Sequence, residues 1–174
     1  MEAIKFVQTW HPVAGREQEY GAFMTHEFQP RMKTLGLEVV SGWYTLVGAE
    51  PPVLVESLAE SLAHAEGVLD DERFNEMIKR FMNLVTHYAS CVLKPAGWMT
   101  MYHWRVPSPD EVRYVQAWDV LPGQRETYNR FVREVHLPQM EALGLGVTAG
   151  WHLMFGSGRQ VISCLLYTSD AADE

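Results

Sequence analysis

The chain has 174 residues, 47% of them hydrophobic, and a formal charge of −8 without a basic stripe, which argues against nucleic acid as a partner. No apolar run is long enough to span a bilayer and the first strand pattern starts almost at once, so neither membrane insertion nor a signal peptide is expected. Cys91 and Cys164 are too few for a cysteine-based zinc site, and a reducing, cytoplasmic compartment is the expectation.

In chain order, "IKFVQTW" (Ile4 to Trp10) alternates with period two and is rich in β-branched and aromatic residues, which predicts a strand. Gly15 turns it into a helix on which Tyr20, Phe23, Met24 and Leu35 share a face. Pro30 lies inside that pattern and predicts a kink or break, and Gly36 suits the C-cap. A second strand covers Leu37 to Val47, Gly48 and Pro51–Pro52 turn it, and a third begins at Val53. A second helix is predicted where acidic residues precede helix-spaced Phe74, Met77, Ile78, Phe81, Met82 and Val85. Ala89 to Leu93 reads as a fourth strand, and 99–111, with Pro107 and Pro109, as a linker.

From Val112 the same grammar returns. Ile4 to Val55 aligns without a gap on Val112 to Ser163, and 16 of the 52 aligned positions are identical, where unrelated stretches would share about three. "LGLEVVSGW" (Leu35 to Trp43) faces "LGLGVTAGW" (Leu143 to Trp151). The second copy has its strand at "VRYVQAW", its turn at Gly123 and a helix face of Tyr128, Phe131, Val132, Val135 and Leu143. Pro138 and Gly144 repeat Pro30 and Gly36. The first copy thus reads β-α-β-β-α-β, the ferredoxin-like unit. The expected fold is α+β: tandem ferredoxin-like repeats forming a dimeric α/β-barrel-type fold in one chain. The expected boundaries are 1–98 for the first repeat and 112–163 for a truncated second one.

The turn Pro122–Gly123, the helix, "HLPQMEALGL" (His136 to Leu145) and the following strand resemble the dimeric α+β barrel superfamily, more narrowly its tandem NIPSNAP-like or EthD-like members. The resemblance implies a scaffold that hosts many chemistries, so activity must be argued from side chains. Cys164 to Glu174, "CLLYTSDAADE", resembles a translated sequencing-library adapter rather than natural sequence. With that tail set aside, Cys91 is the single natural cysteine.

Two sets of residues on equivalent strands attract attention: Phe6, Gln8 and Trp10, and Tyr114, Gln116 and Trp118. Each puts an amide among large rings. That suits the floor of an apolar pocket with one polar anchor, or a pair of glutamines that bond each other or backbone and pin two sheets. His136 lies at the edge of the helix's apolar stripe, within His136-Leu137-Pro138, which resembles the H-x-P segment of EthD-like domains; the first copy has Phe28 there. Glu27, aligned with Val135, is the first copy's inward polar residue, either paired with Arg31 one turn on or lining a pocket with a perturbed pKa. His136 and Glu27 are therefore the candidate general bases. His11, His26, His64, His87, His103 and His152 lack metal-ligand spacing, and neither a phosphate loop, a dinucleotide fingerprint nor a serine elbow is present, so no metal or cofactor is expected. The sequence reading is a protein that binds a small apolar or aromatic ligand, with self-association allowed. The alternatives are a cofactor-independent monooxygenase or isomerase using His136 or Glu27, and, because relatives in the superfamily bind haem, a haem protein recognisable by a Soret band.

Overall fold

In the first unit, β1 (Ile4–Pro12) is followed by α1 (Glu17–Phe23), a π-helical turn (Met24–Phe28), α2 (Gln29–Thr34), β2 (Glu38–Tyr44), β3 (Val53–Ala59), α3 (Leu62–Asp70), α4 (Glu72–Phe81) and β4 (Val85–Pro95). The computed structural model describes residues 4–48, 51–96 and 112–167, without the side chains of 148, 166 and 167. The expected linker, with His103, and the last residues of the expected tail lie outside them. The chain divides into two units, Met1–Lys94 with Met154–Ser157, and Pro95–Leu153 with Gly158–Glu174.

The first unit's strands run β2-β3-β1-β4, each pair antiparallel. This is the order of a ferredoxin-like sheet. The period-two pattern of β1 sends Phe6, Gln8 and Trp10 to the side that carries the helices. There Phe6 and Trp10 join Val53, Val55, Phe74 and Met77 in one buried cluster. Phe81 sits at its centre, with ring centroids 4.9 Å from Trp10, 5.4 Å from Phe23 and 5.5 Å from Phe28.

The opposite side of this sheet carries a polar network. Lys5 and Glu56, 1% and 3% exposed, form an ion pair of 2.8 Å. The second carboxylate oxygen of Glu56 accepts from Ser41 Oγ at 2.6 Å and from Trp43 Nε1 at 3.2 Å. Burying both charges is tolerated because each finds an opposite charge and the carboxylate's remaining lone pairs are engaged.

Several local details differ from the sequence expectation. The helix broken at Pro30 is an α-helix that widens into a π-turn: the Gln29 N–H donates to Met24 O, five residues back, immediately before the proline that has no N–H to give. Helix α3 was not foreseen; only Ala65 and Val68 of its nine residues are buried, and Gly67 blurs the period. Ser61 caps it by accepting from the His64 N–H at 3.1 Å. Helix α4 stops at Phe81, so Val85 opens β4 instead of ending the helix face, and Met82 is exposed. Asp71 caps α4, accepting from the Arg73 N–H at 2.8 Å, and the Arg73 guanidinium holds its carboxyl down at about 2.

The second unit holds β5 (Val112–Trp118), α5 (Arg125–Phe131), a π-helical turn (Val132–His136), α6 (Leu137–Ala142), β6 (Gly146–Gly156) and β7 (Val161–Tyr167). Its strands lie in the order β6-β7-β5, antiparallel. The two π-turns are 108 positions apart. So are the strand registers: Gln8 faces Val55, and Gln116 faces Ser163. Strand β7 continues through Cys164 to Tyr167 along β5. Among the described residues the second unit has no counterpart of α3 or α4.

Candidate functional site

The first unit closes its own candidate set. Phe6, Gln8 and Trp10 are all buried beneath α4 and the aromatic cluster. Gln8 does not bond Gln116; its Nε2 donates to the Tyr88 hydroxyl at 2.7 Å. Burial pushes the Tyr88 phenol up to about 12, so it stays a neutral partner. The Trp10 indole N–H donates to Tyr20 OH at 3.0 Å. These hydroxyls satisfy the donors that the sequence pattern left open. Glu27 lies beside Phe23, His26, Arg31 and Arg80 in an open cleft of about 650 Å³. Its ion-pair partner is Arg80 of α4, not Arg31. The helix i,i+4 rule allowed Arg31, but tertiary packing brings a guanidinium from another helix to the same carboxylate.

The second unit keeps the same side chains and leaves them open. Trp118 lies with its ring centroid 5.9 Å from His136 and 6.2 Å from Tyr128, and Phe131 lies 6.3 Å from His136. The π-turn sets this geometry by widening the helix just where His136 leaves it. Five buried polar atoms here have no hydrogen-bond partner: Gln116 Oε1, Trp118 Nε1, Tyr128 OH, His136 Nε2 and Ser163 Oγ. Gln116 Nε2 reaches only the Tyr114 hydroxyl, at 3.5 Å. Burial raises the Tyr128 phenol and the neighbouring Trp118 indole N–H offsets part of that rise, yet the two groups do not close a hydrogen bond. Burial lowers the pKa of His136, so its imidazole is neutral at pH 7. An orphaned buried polar group costs about 1–3 kcal/mol; Trp118 neighbours Tyr128 and His136, and Gln116 faces Ser163 across the β5–β7 pair.

Of the residues singled out in the sequence, the fold brings Gln116, Trp118 and His136 into this set and leaves Tyr114 beside it, half exposed. Tyr128 and Ser163 were missed. Tyr128 was legible only as a ring on an apolar face, but its hydroxyl is what Trp10's counterpart would use. Ser163 is signalled by its register opposite Gln116, a position where the first copy has Val55.

Other chemistry is absent among the described residues. No three His, Cys, Asp or Glu side chains converge as a metal site. Burial pushes the Cys91 thiol up to about 11, which makes it a poor nucleophile. His64 Nε2 lies 2.8 Å from Leu35 O and fills the space over Gly36, a structural role at a helix end. No described helix is long and apolar enough to cross a membrane.

No protein-family model and no curated protein matches the chain. Solved structures do. An anthrone oxidase-like protein matches 99% of this chain and 76% of its own at 15% identity, with a TM-score of 0.59. A candidate monooxygenase from Lactobacillus acidophilus matches 99% and 80% at 10% identity, with a TM-score of 0.57. A NIPSNAP family protein from Agrobacterium tumefaciens matches 55% of this chain and 87% of its own at 20% identity, with a TM-score of 0.42. At these identities the two longer matches bear on fold alone. The chain has a mixed α+β, ferredoxin-like fold similar to that of these two structures.

Proposed function

We propose that the second unit binds a small, planar, hydroxylated aromatic molecule between Tyr114, Phe131 and the polar set of Gln116, Trp118, Tyr128, His136 and Ser163. The observation that carries this reading is the contrast between the copies. The Trp10 indole N–H donates to the Tyr20 hydroxyl, whereas the equivalent Trp118 Nε1 and Tyr128 OH are both buried and unpartnered; the glutamine pair does not differ in this way, since Gln8 Oε1 and Gln116 Oε1 are both without a partner. Aromatic walls supply most of the binding free energy, and the few polar atoms fix orientation. The His136 Nε2 accepts a phenolic proton in a hydrogen bond, and Trp118 Nε1 donates to a ligand oxygen.

The first copy supplies the control substitution. His136→Phe installs the ring that Phe28 provides at the equivalent position, so the fold has a precedent for it. With 2-naphthol as probe, calorimetry is expected to give binding to the native chain and a loss of about tenfold or more in the variant, the worth of one buried hydrogen bond to a ligand. Binding that survives His136→Phe unchanged removes His136 from the site. The pH dependence follows from the lowered pKa of His136. Binding needs the neutral imidazole, so it is full at pH 7 and falls as the pH drops through the lowered pKa, below the ordinary histidine value of about 6.5. Stability moves the same way. Between the folded and unfolded pKa values the unfolded chain binds more protons, so the folded state loses stability as the pH falls.

A second reading is supported by the same neutral imidazole. The unpartnered His136 Nε2, as a neutral imidazole nitrogen, suits proton abstraction from a phenol, the opening step for cofactor-independent oxygenation by dioxygen. Oxygen consumption with a phenolic probe, lost in His136→Phe but retained in Glu27→Gln, distinguishes turnover from binding.

A further inference from the structure

The β1–β4 pair of the first unit carries a local irregularity that core packing does not require. Thr9 pairs with Ala89 and His11 with Thr86, so His87 and Tyr88 of β4 stand opposite Trp10 alone. The extra residue makes a β-bulge, a device that re-aims side chains. Tyr88 is turned toward Gln8, whose Nε2 donates to its hydroxyl at 2.7 Å. His87 takes the left-handed position, with φ of 53°, where glycine is the ordinary choice. Among the described residues it is the one non-glycine with positive φ. A glycine would make the same turn without the steric cost of a Cβ. What histidine adds is its ring, and the bulge brings that ring to a second one. The centroids of His11 and His87 are 5.0 Å apart, with the planes at 57°. His87 Nδ1 lies 3.2 Å from Thr86 Oγ1. Such a bond on one ring nitrogen orients an imidazole and leaves the other nitrogen, here Nε2, for a ligand.

We propose that His11 and His87 form a two-histidine site for a divalent transition metal ion of the kind imidazole prefers, with zinc as its representative. Two imidazoles on one zinc ion, each with its nitrogen about 2 Å from the metal and at a tetrahedral angle, have ring centres about 5 Å apart. That is the separation of this pair. No third His, Cys, Asp or Glu side chain joins them among the described residues, so water completes the coordination and the ion exchanges readily. The ion ties the ends of β1 and β4 together across the bulge. An unfolded chain does not hold the two rings together, so binding stabilises the folded first unit by mass action. The site lies apart from the polar set of the second unit and stands or falls independently of it.

The test uses the full chain without a histidine tag, and zinc chloride as the probe. Calorimetry, thermal unfolding and the histidine ring signals in a proton–carbon correlation spectrum provide the readouts. One zinc ion per chain is expected, with a rise in unfolding temperature of about 5 °C or more at saturation. The ring signals of His11 and His87 are expected to move before those of the other histidines. His87→Gly removes the ring and suits the backbone, so without zinc this variant should unfold no earlier than the native chain. It should nevertheless bind zinc at least about tenfold more weakly and lose the zinc-dependent rise. His11→Asn, which leaves the bulge alone, should show the same loss. A zinc-dependent rise that persists in both variants overturns the proposal. So does the absence of binding at about 1 mM zinc, or a response that starts at other histidines.

Discussion

Replacing Lys5 by methionine is expected to cost about 3–5 kcal/mol of stability, because it breaks a buried ion pair of 2.8 Å with Glu56 by removing one partner. Ser41 Oγ and Trp43 Nε1 still donate to the Glu56 carboxylate, at 2.6 Å and 3.2 Å. The double variant Lys5→Met with Glu56→Leu should recover most of the loss. Two apolar residues of similar volume need no desolvation to be offset, and such replacements are often neutral or stabilising. Urea denaturation of the native, single and double variants measures this directly. Additive losses in the double variant would mean that the pair is not coupled, contrary to their 2.8 Å contact.

Phe81→Ala is expected to destabilise the first unit by a similar amount, about 3–5 kcal/mol. Its ring is surrounded by Trp10, Tyr20, Phe23, Phe28 and Tyr88 at centroid separations between 4.9 and 6.3 Å, so the surroundings cannot collapse into the space without leaving their rotamers. The corresponding loss for Phe131→Ala, on the exposed face of the second unit, should stay below about 1 kcal/mol. Thermal unfolding followed by tryptophan emission compares the two. Equal losses would show that the second unit's aromatic face is as well packed as the first's.

The fold was legible because two signals coincide. The period-two strands and helix-spaced apolar positions give element types, and the gapless repeat fixes their order. Details that depend on partners distant in sequence were not. Lys5 alternates to the polar side of its strand, and nothing local says that Glu56, 51 residues on, meets it in a buried network. Glu27 has a plausible local partner in Arg31, and only the packing of α4 brings Arg80 to it instead. The same limit applies to Gln8, whose acceptor, the Tyr88 hydroxyl, arrives from β4. In the candidate site, the chemical types at 116, 118 and 136 could be read off the strand and helix patterns. The unsatisfied state of their polar atoms could not, since satisfaction is a property of neighbours across the sheet. Helix α3 escaped notice because its burial rests on two small side chains, too weak a signal for a period to emerge.

The central claim is that the polar set of the second unit is a binding site while its counterpart in the first unit is closed core. The six tryptophans provide the measurement, since each indole N–H gives its own cross-peak in a proton–nitrogen correlation spectrum. Assignment follows from Trp118→Phe and Trp10→Phe. On titration with 2-naphthol the Trp118 indole peak is expected to move in a saturable way and the Trp10 peak to stay in place, because Trp10 already donates to Tyr20. A stationary Trp118 peak, or a shift at Trp10 of equal size, would contradict the account.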